Sequence, residues 1–121
     1  MPTASGMNSL NKINDIKAKD LFDILIIEKG LRAIDLKFYK KHDLMIVFLN
    51  TGKTEQLNIS EFPELAKATE RKLKQYKLVH KGIGFEWRSL NFDLSLKGFL
   101  KKAALNTALK KYQVEENKIF V

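Results

Sequence analysis

From Gly82 to Leu100 the chain reads GIGFEWRSLNFDLSLKGFL, and its apolar period changes partway along. Ile83, Phe85 and Trp87 alternate with Gly84, Glu86 and Arg88; Leu90, Phe92 and Leu94 then alternate with Asn91 and Asp93. A period of two marks a strand with one buried face. From Leu96 the spacing becomes three to four, through Phe99, Leu100 and Ala103, which is the stripe of a helix. Two strands running straight into a helix require a sheet with a helix laid on it. The same stretch holds no metal-binding cluster and no phosphate loop, so it names no chemistry.

The remaining segments fit that architecture. Asp20 to Lys29 is apolar-rich and is followed by Gly30, a helix stop with a lysine in the last turn, which predicts a helix over Asp15–Lys29. The β-branched run Ile24–Ile27 makes a strand the competing reading. Leu31 to Tyr39 alternates, with Ile34, Leu36 and Phe38 on one face and Ala33, Asp35 and Lys37 on the other. Lys40 to Asp43 is a polar turn. Leu44 to Leu49 is apolar on both faces, as a central strand should be. Thr51-Gly52 makes the next turn, and Lys53 to Ile59 turns Leu57 and Ile59 inward. These three runs read as an antiparallel meander. Ser60 as N-cap and Pro63 in the first turn open a helix over Phe62–Tyr76, with Phe62, Leu65, Thr69, Leu73 and Tyr76 as its stripe. Lys77–Lys81 pairs with Gly82–Trp87, and Ser95 caps a last helix over Leu96–Tyr112. The expected fold is α+β: a three-stranded antiparallel meander and a further strand pair, packed with two to three helices. Residues 1–14 form an N-terminal segment, 15–112 one domain and 113–121 a tail.

The chain has 121 residues, 45% of them hydrophobic, enough for one core without staples. It has no cysteine, which excludes disulfides, cysteine-ligated zinc and thiol catalysis and suits a reducing cytosol. No run of about 18 apolar residues exists for a membrane span, and the start lacks the pattern of a secretory signal. Met7 offers an alternative start that would make residues 1–6 an extension. Net charge is +8 and uneven: residues 1–60 hold 9 Lys+Arg against 7 Asp+Glu, residues 61–121 hold 13 against 7. Between Asp93 and Glu115 no acid occurs.

The order of elements, with the Asn50–Gly52 turn, Gly82-Ile83-Gly84-Phe85-Glu86-Trp87, and Asp93-Leu94-Ser95-Leu96 with Gly98, resembles the bacterial family called domain of unknown function 2442. The similarity covers roughly residues 31–105. Two positions depart from the family's habit: Arg88 stands where many members have proline, and Lys97 where many have an acid. The resemblance implies a small bacterial α+β module. Some members precede a helix-turn-helix domain; others look like one half of a two-gene module beside another small family of unknown function (number 4160), a toxin–antitoxin arrangement. It implies no catalytic residue.

Other constellations are weak. Gly52-Lys53-Thr54 resembles the end of a phosphate loop, but Val47 stands where its first glycine belongs and no helix follows. His42 and His80 are the only imidazoles, too few without cysteine to hold a metal. Glu86, Asp93 and His80 form the only acid–base grouping, and the alternation turns Glu86 to solvent. Asp93 and Ser95 read as caps. No catalytic, cofactor or metal site is expected. The candidate interaction residues are Trp87 and Arg88, types enriched at interfaces, with Trp87 also read as covering the sheet core beside Phe85 and Phe92, the lysines Lys97, Lys101 and Lys102, which could track a phosphate backbone, and Ile119 and Phe120 in the apolar tail. The reading is a cytoplasmic, non-enzymatic interaction module, antitoxin-like, with a protein partner or a second copy of itself. The alternative is a nucleic-acid-binding or DNA-regulating protein using the basic C-terminal half, with weak binding. No membrane partner is expected. The outer strands near Leu31–Tyr39 and Lys53–Ile59 are candidates for strand addition by another chain.

Overall fold

The computed structural model describes residues 20–120, with side chains as far as Tyr112. The chain divides after Gly30 into two compact units. In the first, α1 (Leu21–Asp23) opens under Asp20, whose carboxylate accepts the Asp23 N–H at 2.9 Å. It widens into a π turn over Ile24–Glu28 and stops at Gly30, where φ is +75°. The helical reading of this segment holds from Leu21 onward; its expected start at Asp15 lies outside the described residues.

In the second unit, β1 (Ala33–Tyr39), β2 (Leu44–Leu49) and β3 (Thr54–Asn58) form an antiparallel sheet in that order, with β2 central. Two single-turn helices follow, α2 (Pro63–Ala66) and α3 (Glu70–Leu73). Then β4 (Lys77–Val79), β5 (Gly84–Trp87) and β6 (Phe92–Ser95) make a second antiparallel sheet, and α4 (Leu96–Phe120) closes the chain. The fold is α+β. The alternation expected at Leu90–Leu94 is β6, and it joins the expected strand pair as a second meander. Both meanders use the same connection once: a 3-10 turn over Lys40–His42 or Arg88–Leu90, then a left-handed residue, Asp43 (φ 52°) or Asn91 (φ 49°). Asp and Asn tolerate that conformation better than other side chains.

Three expectations change. Ala33 was expected on the face opposite Leu36 and Phe38, with Ile34 inward. Instead Ala33 is buried beside them and Ile34 is 59% exposed. The pairing of β1 with β2 shifts between Ala33 and Asp35, and one extra residue in a strand swaps the faces before it. The helix expected over Phe62–Tyr76 is broken in two. Thr69 takes an extended conformation, and its hydroxyl accepts the Lys72 N–H at 3.2 Å, capping α3. The Lys40 ammonium donates to the Ala68 carbonyl just before the break. Ser60 is not a helix cap; it sits in a 3-10 turn, with its N–H and hydroxyl donating to the Asp43 carboxylate at 2.9 and 2.6 Å.

The core lies around Trp87, which is fully buried with Phe85, Phe99, Leu65, Leu73 and Leu96. Its ring meets Phe38, Tyr76, Phe85 and Phe92 at centroid distances of 5.7–6.4 Å. Its indole N–H donates to the Leu73 carbonyl at 2.9 Å, the partner a buried indole needs. Ser95 caps α4 by accepting the Gly98 N–H at 2.9 Å, and α4 buries Leu96, Phe99, Leu100 and Ala103, the expected stripe. The helix runs on to Phe120, past the end expected near Tyr112.

Gly82 touches β1 so closely that a Cβ there would lie 2.2 Å from the Ala33 carbonyl oxygen, and its φ is +101°. Gly52 also has positive φ, +86°, but nothing lies within 4 Å of its missing Cβ. Gly52→Ala should therefore cost only the left-handed conformation, about 1 kcal/mol. Gly82→Ala should cost clearly more, above about 2 kcal/mol, because backbone must also move. Urea midpoints of the two variants measure the difference.

On the outer edge of β1, Tyr76 takes the Leu36 N–H. Its hydroxyl donates to Asp35 Oδ1 at 2.7 Å and accepts the Leu36 N–H at 3.1 Å. The Tyr76 hydrogen bond holds the Asp35 carboxyl below its ordinary value, helped by the Leu36 N–H and by Lys37. Burial, and then the Asp35 contact, pushes the Tyr76 phenol up. A depressed carboxylate contributes stability above its unfolded-state pKa, and that contribution is lost as pH falls through the folded-state value. Tyr76→Phe should return Asp35 toward an ordinary titration and lower stability at neutral pH by about 1 kcal/mol. The deficit should shrink on acidification, as read by NMR titration of Asp35 and by denaturation across the acid range.

Candidate interaction surface

The two edges of the first sheet differ. In an antiparallel ladder, alternate residues turn their N–H and C=O groups toward a given neighbour. The Ile59 N–H donates to the Asp43 carbonyl at 3.0 Å and the Leu49 N–H to the Lys53 carbonyl at 2.9 Å. With the register Met45↔Leu57 and Val47↔Glu55, the odd-numbered residues of β3 therefore face β2. Thr54, Gln56 and Asn58 turn their backbone groups the other way. Among the described residues no strand pairs with that side. On β1 the outward Leu36 N–H is taken by Tyr76; the outer edge of β3 has no such cover.

Beside this edge runs an open groove of about 580 Å³, within the ~300–1,000 Å³ of clefts that hold ligands. One wall is the run Thr54–Asn58; the other is α4, through Ala103, Asn106, Thr107, Leu109 and Lys110. Glu61 joins the walls at one end. Its carboxylate accepts the Asn106 side-chain amide at 2.7 Å and lies 3.7 Å from the Lys102 ammonium, which sits 5.6 Å from the Phe62 ring centroid. Several weak contacts thus fix α4 against the turn after β3. The groove lining is mainly polar.

The residues singled out from sequence do not converge. Trp87 is fully buried and lies in the core, not on the surface, because it faces inward in β5 with Phe85. Arg88 is exposed, 3.6 Å from Glu86. Lys97, Lys101 and Lys102 all lie on α4, but at about 100° per residue Lys102 turns roughly 100° from Lys101 and engages Glu61 and Phe62. They form no single phosphate-tracking ridge. Ile119 and Phe120 belong to α4 by backbone; their side chains, and Val121, lie outside the described residues. His42 and His80 are exposed on separate turns, and Glu86 and Asp93 face each other across β5 and β6. The groove was half legible: the strand Lys53–Ile59 was a candidate edge. The contribution of α4 was not, and the signal for it was the polar pair Asn106–Thr107 on the helix face that is buried at Ala103.

Among the described residues, no helix is long and apolar enough to cross a membrane. No match was found among curated proteins. The chain is similar to the crystal structure of a protein of unknown function from Rhodospirillum rubrum ATCC 11170, at 26% identity and a TM-score of 0.54, covering 60% of this chain and 88% of that one. It also shares its fold with the solution structure of the uncharacterized protein CV0863 from Chromobacterium violaceum, at 16% identity and a TM-score of 0.54, covering 82% of this chain and 85% of that one. The family described as Protein of unknown function (DUF2442) matches residues 33–104, from the start of β1 into α4, and the chain belongs to that family.

Proposed function

We propose that this protein is a non-enzymatic interaction module of the bacterial cytoplasm that takes up an extended segment of a partner protein along β3. The observation that carries this reading is the set of outward backbone groups of Thr54, Gln56 and Asn58, beside the groove against α4. An incoming strand would lie about 4.8 Å from β3 and satisfy those groups. Main-chain bonds supply affinity in this mode, and groove side chains supply selection. The partner is a protein, since the donor–acceptor spacing of a strand edge matches another polypeptide. An antitoxin-like pairing within a two-gene module is the biological setting that the family resemblance supports. The competing reading, nucleic acid bound along α4, draws on the net charge of +8, but Lys102 is engaged by Glu61 and the other lysines do not align with it.

Proline separates the two sides of β3, because it removes one N–H. Gln56→Pro deletes an outward donor and should leave folding nearly unchanged. Glu55→Pro deletes a donor to Val47 and should cost about 1–3 kcal/mol. Purified from its native host, the wild-type protein should carry a protein partner that Gln56→Pro loses while keeping its fold. Recovery of the same partner by both proteins, or of nucleic acid alone, contradicts the reading.

A further inference from the structure

Helix α4 has two apolar faces. Leu96, Phe99, Leu100 and Ala103 point into the core. Leu105, Leu109 and Tyr112 are spaced i, i+4, i+7, and are 58%, 50% and 68% exposed. At about 100° per residue they fall within a 60° arc roughly opposite the buried face. Solvent-facing residues of a helix are ordinarily polar, and a stripe at this spacing is how one helix anchors on another. The stripe begins at residue 105, whereas the family match ends at 104. It is therefore a property of this chain beyond the shared domain.

Charge identifies the occupant. Between Leu96 and Tyr112 every charged residue is a lysine: Lys97, Lys101, Lys102, Lys110 and Lys111. Lys101 and Lys102 flank the stripe one turn before Leu105, Lys102 with its ammonium 3.7 Å from the Glu61 carboxylate. Two copies packed stripe to stripe in parallel would set these lysines against each other, and two chains of net charge +8 repel on approach. A partner helix with leucine-like residues on one face and acids at its margins would be attracted to the same surface. Nucleic acid would gain the charge but not the three apolar side chains between the lysines.

We infer that the outward face of α4, centred on Leu105, Leu109 and Tyr112, docks an acidic amphipathic helix of a partner protein. This rests on the reading of the chain as an interaction module; the stripe meets the groove beside the β3 edge at Leu109 alone. The test uses a labelled synthetic peptide with leucine at a and d and glutamate at e and g, titrated against the full chain by fluorescence anisotropy. Saturable binding is expected, weakened at least tenfold by Leu105→Ser with Leu109→Ser and progressively by salt. Gln56→Pro should not change it, so failure at the β3 edge and failure here are separately visible. Lys101→Glu should weaken the glutamate peptide and favour a lysine counterpart; it alters no apolar position and guards against misfolding of the serine variant. Absence of binding overturns the inference. So does equal binding of a peptide with serine in place of leucine, which would make the contact charge alone. A free chain that sediments as a dimer and falls to monomer on Leu109→Ser overturns it in favour of a second copy. Duplex DNA binding abolished by the same serine variants overturns it in favour of nucleic acid.

Discussion

The hydrogen bond from the Trp87 indole to the Leu73 carbonyl holds the second unit together. It spans 2.9 Å inside a fully buried site, where either group left alone would cost about 1–3 kcal/mol. Leu73 ends α3, Trp87 ends β5, and the ring also meets Phe38 of β1. One side chain therefore links the first sheet, the short helices and the second sheet. The linkage also places Tyr76, three residues past Leu73, over the outer edge of β1.

The same geometry divides what a one-dimensional reading can see. The alternations at Leu44–Leu49 and Gly84–Trp87 were legible because period two survives wherever a strand is regular. Ala33 and Ile34 were misassigned because a bulge leaves no mark on composition while exchanging the faces. Thr69 looked like one more member of a helical stripe. Its preference for capping and the neighbouring Lys40–Ala68 contact, distant in sequence, decided otherwise. Trp87 carried two meanings in sequence, core or interface, and only its position in β5 chose between them.

On α4 the difficulty was different. Leu96 through Ala103 and Leu105 through Tyr112 each have helical spacing, on separate faces of one helix. The angular step between Ala103 and Leu105 turns the second group to solvent. Nothing in the period reveals which group is covered; that depends on which face of the helix meets the sheets. The resulting surface combines a strand edge, a polar groove and an apolar helix face. A strand edge and an apolar helix face are both surfaces that polypeptides use to recognise one another.

The central claim is that β3 presents alternate backbone groups to solvent while its other groups are locked in the ladder. Amide hydrogen exchange on the isolated protein measures this residue by residue. The account predicts slow exchange at Glu55 and Leu57, which donate toward β2, and fast exchange at Thr54, Gln56 and Asn58, which do not. Uniform protection along all five residues would mean that the outer edge is already occupied, and would contradict it.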